Sequence, residues 1–78
     1  MKVTVKYFGL VAEAAEKSEE VLELKGTLTA LELKGQCLNS LAIADKDSVQ
    51  IAVNQNLDDT ITLKDGDEVA LLPPFAGG

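Results

Sequence analysis

The sequence predicts an α+β domain in which a mixed β-sheet packs on a helix. Segments of alternating hydrophobicity and segments of good helix formers follow one another in the order β, α, β, α, β, β, β, which is typical of a small α+β fold. The 78 residues suffice for one domain with a modest core. Hydrophobic residues make up 46 % and charged residues 26 % of the chain, as in an ordinary globular protein, so we expect a folded chain.

The first part of the chain supplies two strands and a short helix. Residues 2–8 (KVTVKYF) predict a strand because polar and apolar side chains alternate, and Gly9 ends that pattern. Residues 10–17 (LVAEAAEK) are rich in alanine and glutamate, which favours a helix of about two turns. Residues 20–24 (EVLEL) predict a second strand, and Gly26 predicts the turn after it.

A second helix is predicted from Thr27 onward. Thr29 and Glu32 have the spacing of a capping box, in which each side chain bonds the backbone N–H of the other residue. Gly35 is the expected end of this helix, because glycine is common just past a helix C-terminus. Residues 36–48 show no clear pattern, and we expect turns and irregular structure there.

The second half of the chain predicts three strands and two turns. Residues 49–53 (VQIAV) alternate, and residues 54–56 (NQN) predict a turn because asparagine tolerates left-handed backbone angles. Residues 61–63 predict a short strand. Residues 64–67 (KDGD) are a strong hairpin signal, and residues 68–72 (EVALL) predict the last strand.

Two prolines separate the C-terminal tail from the last strand. Neither Pro73 nor Pro74 can donate a backbone hydrogen bond, so both end the strand ladder. We therefore expect a domain of residues 1–74 and a flexible reactive tail of residues 75–78. From Pro73 onward the extended chain would reach about 20 Å, which is enough to enter a neighbouring protein.

The composition argues against several classes of function. The chain has no histidine and no arginine, so the usual general base and the rigid phosphate clamp are both missing. The net charge of −6 disfavours nucleic acid and anionic membranes as partners. A single cysteine cannot form an intramolecular disulfide. We expect a cytoplasmic protein that binds no metal and no cofactor of its own and acts with a protein partner.

The residues at the very end of the chain suit a terminus that reacts. Glycine has no side chain, so a narrow channel admits its backbone and a nucleophile reaches the carboxyl carbon freely. A carboxylate does not react with nucleophiles until its carbon carries a better leaving group, for example AMP in a mixed anhydride. The sequence has no glycine-rich phosphate loop of the G-x-x-x-x-G-K form, so an activating partner is implied.

Two segments resemble the small subunit of molybdopterin synthase. They are VKYFGLVAEAAEKSEE near the N-terminus and AVNQNLDDTITLKDGDEVALLPPFAGG at the C-terminus, whose D-G-D-E-V-A-x-x-P-P-x-x-G-G ending is characteristic of that family. The resemblance covers about half of the chain, and residues 33–48 depart from the family pattern. It implies a ubiquitin-like β-grasp fold, in which the first and last strands run parallel at the centre of the sheet.

The resemblance also implies a chemistry for the tail. In that family an ATP-using activating enzyme adenylates the terminal glycine, here Gly78, which is then converted to a thiocarboxylate. The thiocarboxylate enters the large subunit and donates sulfur to cyclic pyranopterin monophosphate, and two small subunits flank a dimer of large ones. Gly78 would thus be the sulfur-bearing catalytic residue. The tail residues that would bind the partner are Pro73, Pro74, Phe75, Ala76 and Gly77.

Two apolar residues fall on the polar faces of their strands. Val3, Val5 and Tyr7 occupy one face of the first strand, so Phe8 lies on the other, and Leu72 is likewise off the inward face of the last strand. If these strands run parallel, both residues lie at one end of the sheet beside the tail. We therefore expect Phe8 and Leu72 to form a docking site for the partner.

The cysteine and the acidic pairs have simpler interpretations. Cys37 has no basic cluster near it in sequence to lower its pKa, so a partly buried structural thiol is favoured over a persulfide carrier. The pairs Glu19-Glu20 and Asp58-Asp59 lack calcium-loop spacing and are interpreted as solvated charge. Asp65-Gly66-Asp67 is better explained as turn chemistry.

Three other functions remain open on the sequence. A sulfur carrier of the thiamine type shares the chemistry, but such proteins typically lack the two prolines before the glycines. A non-covalent ubiquitin-like binding module would leave the terminus idle. A modifier that is conjugated to lysines would use the same activated glycine.

Overall fold

The computed structural model describes residues 1–43 and 45–73 of the chain. The predictions that concern Pro74, Phe75, Ala76, Gly77 and Gly78, and the predicted boundary between domain and tail, lie outside the described residues. Within residues 1–43 and 45–73, no helix is long and apolar enough to cross a membrane.

Four strands and two α-helices occur in the described chain. In chain order they are β1 (Lys2–Tyr7), α1 (Gly9–Ala15), β2 (Glu19–Glu23), α2 (Ala30–Leu38), a 3-10 turn (Lys46–Ser48), β3 (Gln50–Val53) and β4 (Glu68–Leu72). Each predicted strand in residues 2–8, 20–24, 49–53 and 68–72 is confirmed to within two residues. The capping box is present as well, since Glu32 N donates to Thr29 Oγ1 at 3.2 Å and Thr29 N donates to Glu32 Oε1 at 2.9 Å.

The strands form one mixed sheet in the order β2-β1-β4-β3. β1 and β4 run parallel at its centre, with Val5 beside Val69 and Tyr7 beside Leu71. The outer strands β2 and β3 pair antiparallel with β1 and β4. This is the ubiquitin-like β-grasp arrangement, so the predicted fold is confirmed.

The core lies on the sheet face that α2 covers. Alternation places apolar side chains of the central strands on this face, and α2 supplies Ala30, Leu33 and Leu38 from one side of the helix. The buried strand residues on this face are Val3, Val5, Tyr7, Ile51, Val53, Val69 and Leu71. Burial of these side chains at about 25 cal/mol per Å² is the main stabilising term of so small a fold.

The predicted strand at residues 61–63 is wrong, and with it the predicted hairpin. Only an isolated bridge between Thr62 and Thr29 forms there. Leu63 is buried as its alternation suggests, but its N–H donates to Leu28 O at 2.8 Å, in the segment that leads into α2. The turn at residues 64–67 does form, with Gly66 at φ +88°, although no strand precedes it.

The predicted helix end at Gly35 is also wrong, because α2 continues to Leu38. A glycine inside a helix costs about 1 kcal/mol relative to alanine. Leu33 and Leu38, on either side of Gly35, are both buried, and this burial outweighs the cost. Residues 36–38 are therefore helical, whereas the expected irregular structure is found over much of residues 39–49 that the structure describes.

Candidate functional site

β4 is the last strand of the described chain and ends at Leu72, just before the two prolines. It is a central strand held by β1 on one side and β3 on the other, and Val69 and Leu71 are fully buried. Such a strand opens only when the sheet itself opens. The last described residue, Pro73, directly follows this buried strand.

Phe8 is held at the same end of the sheet by its backbone. Its N–H donates to Leu71 O of β4 at 3.2 Å, and its C=O accepts from Val11 N at 3.1 Å and from Ala12 N at 3.3 Å in α1. Phe8 is thus both the residue after β1 and the N-cap of α1. The parallel register ends with Tyr7 beside Leu71, so Phe8 and Leu72 each follow it at the same end of the sheet, as the sequence predicted for parallel strands.

Phe8, Leu72 and Pro73 together make an apolar surface, here called the tail-proximal patch. Phe8 is 44 % exposed, and Leu72 and Pro73 are half-buried. Gly9 has φ +55° and lies so close to Pro73 that a Cβ at residue 9 would come within 2.9 Å of Pro73 Cγ. The absent side chain at Gly9 therefore lets Pro73 pack down beside the start of α1.

Leu10 is an exposed apolar residue near this patch that the sequence reasoning did not single out. It stands in the first turn of α1, two residues after Phe8, and is 43 % exposed. The helical spacing gives the reason for its exposure, since Val11 of the same turn is fully buried and points into the core. A helical projection of residues 10–15 would have placed Leu10 on the exposed side of the helix and Val11 on the buried side.

Cys37 lies in a cleft between α2 and β2, on the far side of the sheet from Phe8. Burial raises the pKa of the Cys37 thiol to about 11, and the nearby Glu20 carboxylate opposes its ionisation further, although Tyr7 partly offsets these effects. The Tyr7 hydroxyl donates to Glu20 Oε2, and burial together with this hydrogen bond raises the Tyr7 pKa well above its usual range. A thiol in these surroundings stays protonated at neutral pH and is a poor nucleophile.

The acidic residues near the turns have structural partners. Asp65 Oδ1 accepts from Lys2 N and Asp67 Oδ2 accepts from Lys64 N, each at 2.7 Å. Asp58 accepts from the backbone N–H of Thr60, and hydrogen bonds from Thr60 lower the Asp58 pKa. In the part of the chain that the structure describes, no group of three or more His, Cys, Asp or Glu side chains is arranged to hold a metal ion.

The fold and the patch define a class of protein: a small ubiquitin-like β-grasp domain whose C-terminal segment leaves a central strand beside an apolar surface. Residues 5–78 match the ThiS family, and the chain belongs to that family. A relative from Mycobacterium tuberculosis, named molybdopterin synthase sulfur carrier subunit, is 41 % identical, and the similarity spans 100 % of this chain and 99 % of the relative.

Solved structures resemble this chain over all or nearly all of its length. A protein described as molybdopterin converting factor subunit 1 from Pyrococcus furiosus has a TM-score of 0.78 and 32 % identity, covering 95 % of this chain and 98 % of that one. A chain in a complex of subunits 1 and 2 of the molybdopterin-converting factor from Helicobacter pylori has a TM-score of 0.60 and 28 % identity, with 100 % of both chains covered. The predicted resemblance to the molybdopterin synthase small subunit is confirmed.

Proposed function

We propose that this chain is a sulfur carrier in molybdenum cofactor biosynthesis and that its terminal residue, Gly78, carries the sulfur. The observation that supports this most is the relative from Mycobacterium tuberculosis, which is named a sulfur carrier subunit and is similar over the whole chain. The Gly77-Gly78 ending follows the central strand β4 and two prolines, and the match to the ThiS family extends to residue 78.

The carrier chemistry uses two steps, a substitution at the α-phosphorus of ATP by the Gly78 carboxylate and a substitution at the Gly78 carboxyl carbon by sulfur. An oxygen of the carboxylate attacks the α-phosphorus of ATP on a separate activating enzyme, which forms the acyl-adenylate and releases pyrophosphate. A sulfide-level sulfur then attacks the carboxyl carbon, the C–S bond forms, and AMP leaves with the C–O bond pair. The product is the thiocarboxylate. ATP is consumed by the activating enzyme, and no cofactor is bound by this chain.

The thiocarboxylate then enters the large subunit of molybdopterin synthase. There it gives its sulfur to cyclic pyranopterin monophosphate, and the large subunit supplies the catalytic groups. Phe75, Ala76 and Gly77 would occupy the partner's channel, and Pro73 and Pro74 would mark its entrance. The complex of subunits 1 and 2 known from Helicobacter pylori supports a large-subunit partner, and we propose a heterotetramer with two copies of each chain, in the cytoplasm.

The tail-proximal patch is the proposed docking surface for that subunit. Phe8 and Leu72 are apolar, partly exposed and adjacent to the residue from which the tail departs. Covering them on binding removes apolar area from water, and the rigid backbone of Phe8 means that little conformational freedom is lost. The same contact would direct the tail into the partner.

The decisive experiment is thiocarboxylate formation on the purified chain. Incubated with its activating enzyme, ATP and sulfide, the protein should gain the mass of one oxygen-to-sulfur exchange, and fragmentation should place it at Gly78. A variant with one alanine added after Gly78 should gain nothing, because the carboxylate is displaced from the activating site. Deletion of Gly78 should abolish turnover and leave the melting temperature nearly unchanged.

The controls separate the carrier from its rivals. Cys37→Ala should react like the parent chain, since the thiol has no part in the proposal. A sulfur that maps to Cys37 or full activity with the extended tail would refute the proposal, and the latter would favour a non-covalent module. Attachment to lysines of other proteins, seen by mass spectrometry without sulfur transfer, would favour a modifier.

A further inference from the structure

The β2 strand is one edge of the sheet and turns a row of backbone groups outward. Within residues 1–43 and 45–73, β2 pairs only with β1. Leu24 N donates to Met1 O at 2.7 Å at one end of this pairing. Because hydrogen-bonded pairs alternate along an antiparallel ladder, the N–H and C=O groups of Glu19, Val21 and Glu23 point away from β1.

A cleft of about 430 Å³ runs beside this edge, between β2 and the second half of α2. It exists because α2 packs most closely against β3, at the other side of the same sheet face. Its apolar lining includes Leu22, Leu24, Leu33 and Leu41, and its polar lining includes Tyr7, Cys37 and the ion pair of Lys17 with Glu20. A strand added to the β2 edge would place alternate side chains over this cleft.

The charges on β2 favour basic residues at the alternate positions of such a strand, whose side chains do not face the cleft. Glu19 and Glu23 are exposed on the opposite sheet face, where their neighbours on β1 are Lys6 and Lys2. An added strand would lie on the side of β2 away from β1. Its side chains on this face would be direct cross-strand neighbours of the two glutamates. Opposite charges in such cross-strand positions are favourable, so lysine or arginine fits there.

The same charges argue against a second copy of this chain as the occupant. If two β2 edges paired antiparallel about Val21, Glu19 of one copy would lie opposite Glu23 of the other. Like charges directly opposite each other are destabilising, and charged residues on an edge strand commonly prevent such self-pairing. With a net charge of −6 on each copy, the pairing is further disfavoured.

We propose that the free edge of β2 and the cleft beside it, together called the β2 groove, bind an extended segment of a partner protein in which apolar residues alternate with lysine or arginine. The segment adds to the sheet as a further strand. Its main-chain groups bond Glu19, Val21 and Glu23. Its apolar side chains cover the half-buried Leu22 and Leu41 of the cleft, and its basic side chains lie beside the glutamates.

The β2 groove is separate from the tail-proximal patch. The cleft opens on the sheet face that α2 covers. Phe8 and Leu72 belong to the opposite face, which they share with Glu19 and Glu23, but they follow the central strands β1 and β4, whereas the glutamates belong to the edge strand β2. The proposal therefore does not depend on the sulfur-carrier function. The outcome of the peptide titration does not decide the thiocarboxylate experiment, and the outcome of the thiocarboxylate experiment does not decide the titration. A partner could occupy the groove while the tail is engaged elsewhere.

A designed peptide tests the groove on the full-length protein. The probe is the blocked heptapeptide KVKVKVK, and the control is EVEVEVE, which has the same alternation and the opposite charge. Titration into ¹⁵N-labelled protein should shift the amides of Glu19, Val21 and Glu23 and those of the cleft residues in a saturable manner. The glutamate peptide should leave them unmoved.

The second part of the experiment reverses the charges of the two glutamates on β2. Glu19→Lys with Glu23→Lys should weaken binding of the lysine peptide about tenfold and allow the glutamate peptide to bind. Asp47→Lys with Asp59→Lys changes the net charge equally, at exposed positions off this strand, and should leave the affinity within about twofold. Unsaturable shifts, shifts centred on β3 or on Phe8, or equal losses in the two double variants would overturn the proposal.

Discussion

Replacement of Phe8 by lysine should weaken binding to the large subunit without unfolding the domain. Phe8 is 44 % exposed, and a phenylalanine side chain presents roughly 200 Å², so about 90 Å² is available for a partner to cover. At about 25 cal/mol per Å² this area is worth about 2 kcal/mol, or roughly 30-fold in the dissociation constant. Burial of an unpaired lysine charge adds to the loss.

Calorimetric titration of the large subunit with the parent and variant chains measures this loss. Leu57→Lys is the matched control, because Leu57 is 64 % exposed in the loop after β3 and lies outside the patch. Leu72→Lys should behave like Phe8→Lys. An unchanged affinity for Phe8→Lys, or an equal loss for Leu57→Lys, would show that the interface lies elsewhere. The melting temperature of each variant establishes that the fold is retained.

Two further predictions concern the stability of α2 and the reactivity of its cysteine. Thr29→Ala should lower the free energy of unfolding by about 1 kcal/mol, since Glu32 N loses its acceptor, whereas thermal melts of Thr27→Ala should match the parent. Cys37 should react with a disulfide reagent at pH 8 about 100-fold more slowly than an exposed thiol, because burial raises its pKa to about 11 and leaves little thiolate. The rate should rise with pH toward 11, and a rate equal to that of free cysteine at pH 8 would contradict this assignment.

Alternation of side chains predicts the strands well where one face is buried. Val3, Val5 and Tyr7 are all in the core, and the same alternation identified Phe8 and Leu72 as residues on the other face. Their adjacency required the additional assumption that the two strands run parallel. That assumption came from a family resemblance, since periodicity within a strand carries no information about its neighbours.

Local patterns fail where a distant contact decides the structure. Leu63 alternates with its neighbours as in a strand, yet its N–H bonds Leu28 because the N-terminus of α2 lies beside it. Gly35 is a common helix end, yet buried Leu38 keeps the helix going for another turn. No local sequence pattern predicts the β2 groove either, since the groove depends on the packing of α2 toward β3 and away from β2.

The choice between Cys37 and Gly78 as the bearer of sulfur can be argued from what each site requires. A persulfide carrier needs a thiolate near neutral pH and free access to a partner's active site. Burial and the Glu20 carboxylate both oppose the Cys37 thiolate, and the residue is partly enclosed between α2 and β2. A terminal carboxyl group needs the same access but no thiolate, because adenylation on another enzyme makes its carbon electrophilic whatever the charge of this domain. The domain then needs only to offer its C-terminal residues to the partner, and the last described residue, Pro73, follows the buried central strand β4 beside Phe8.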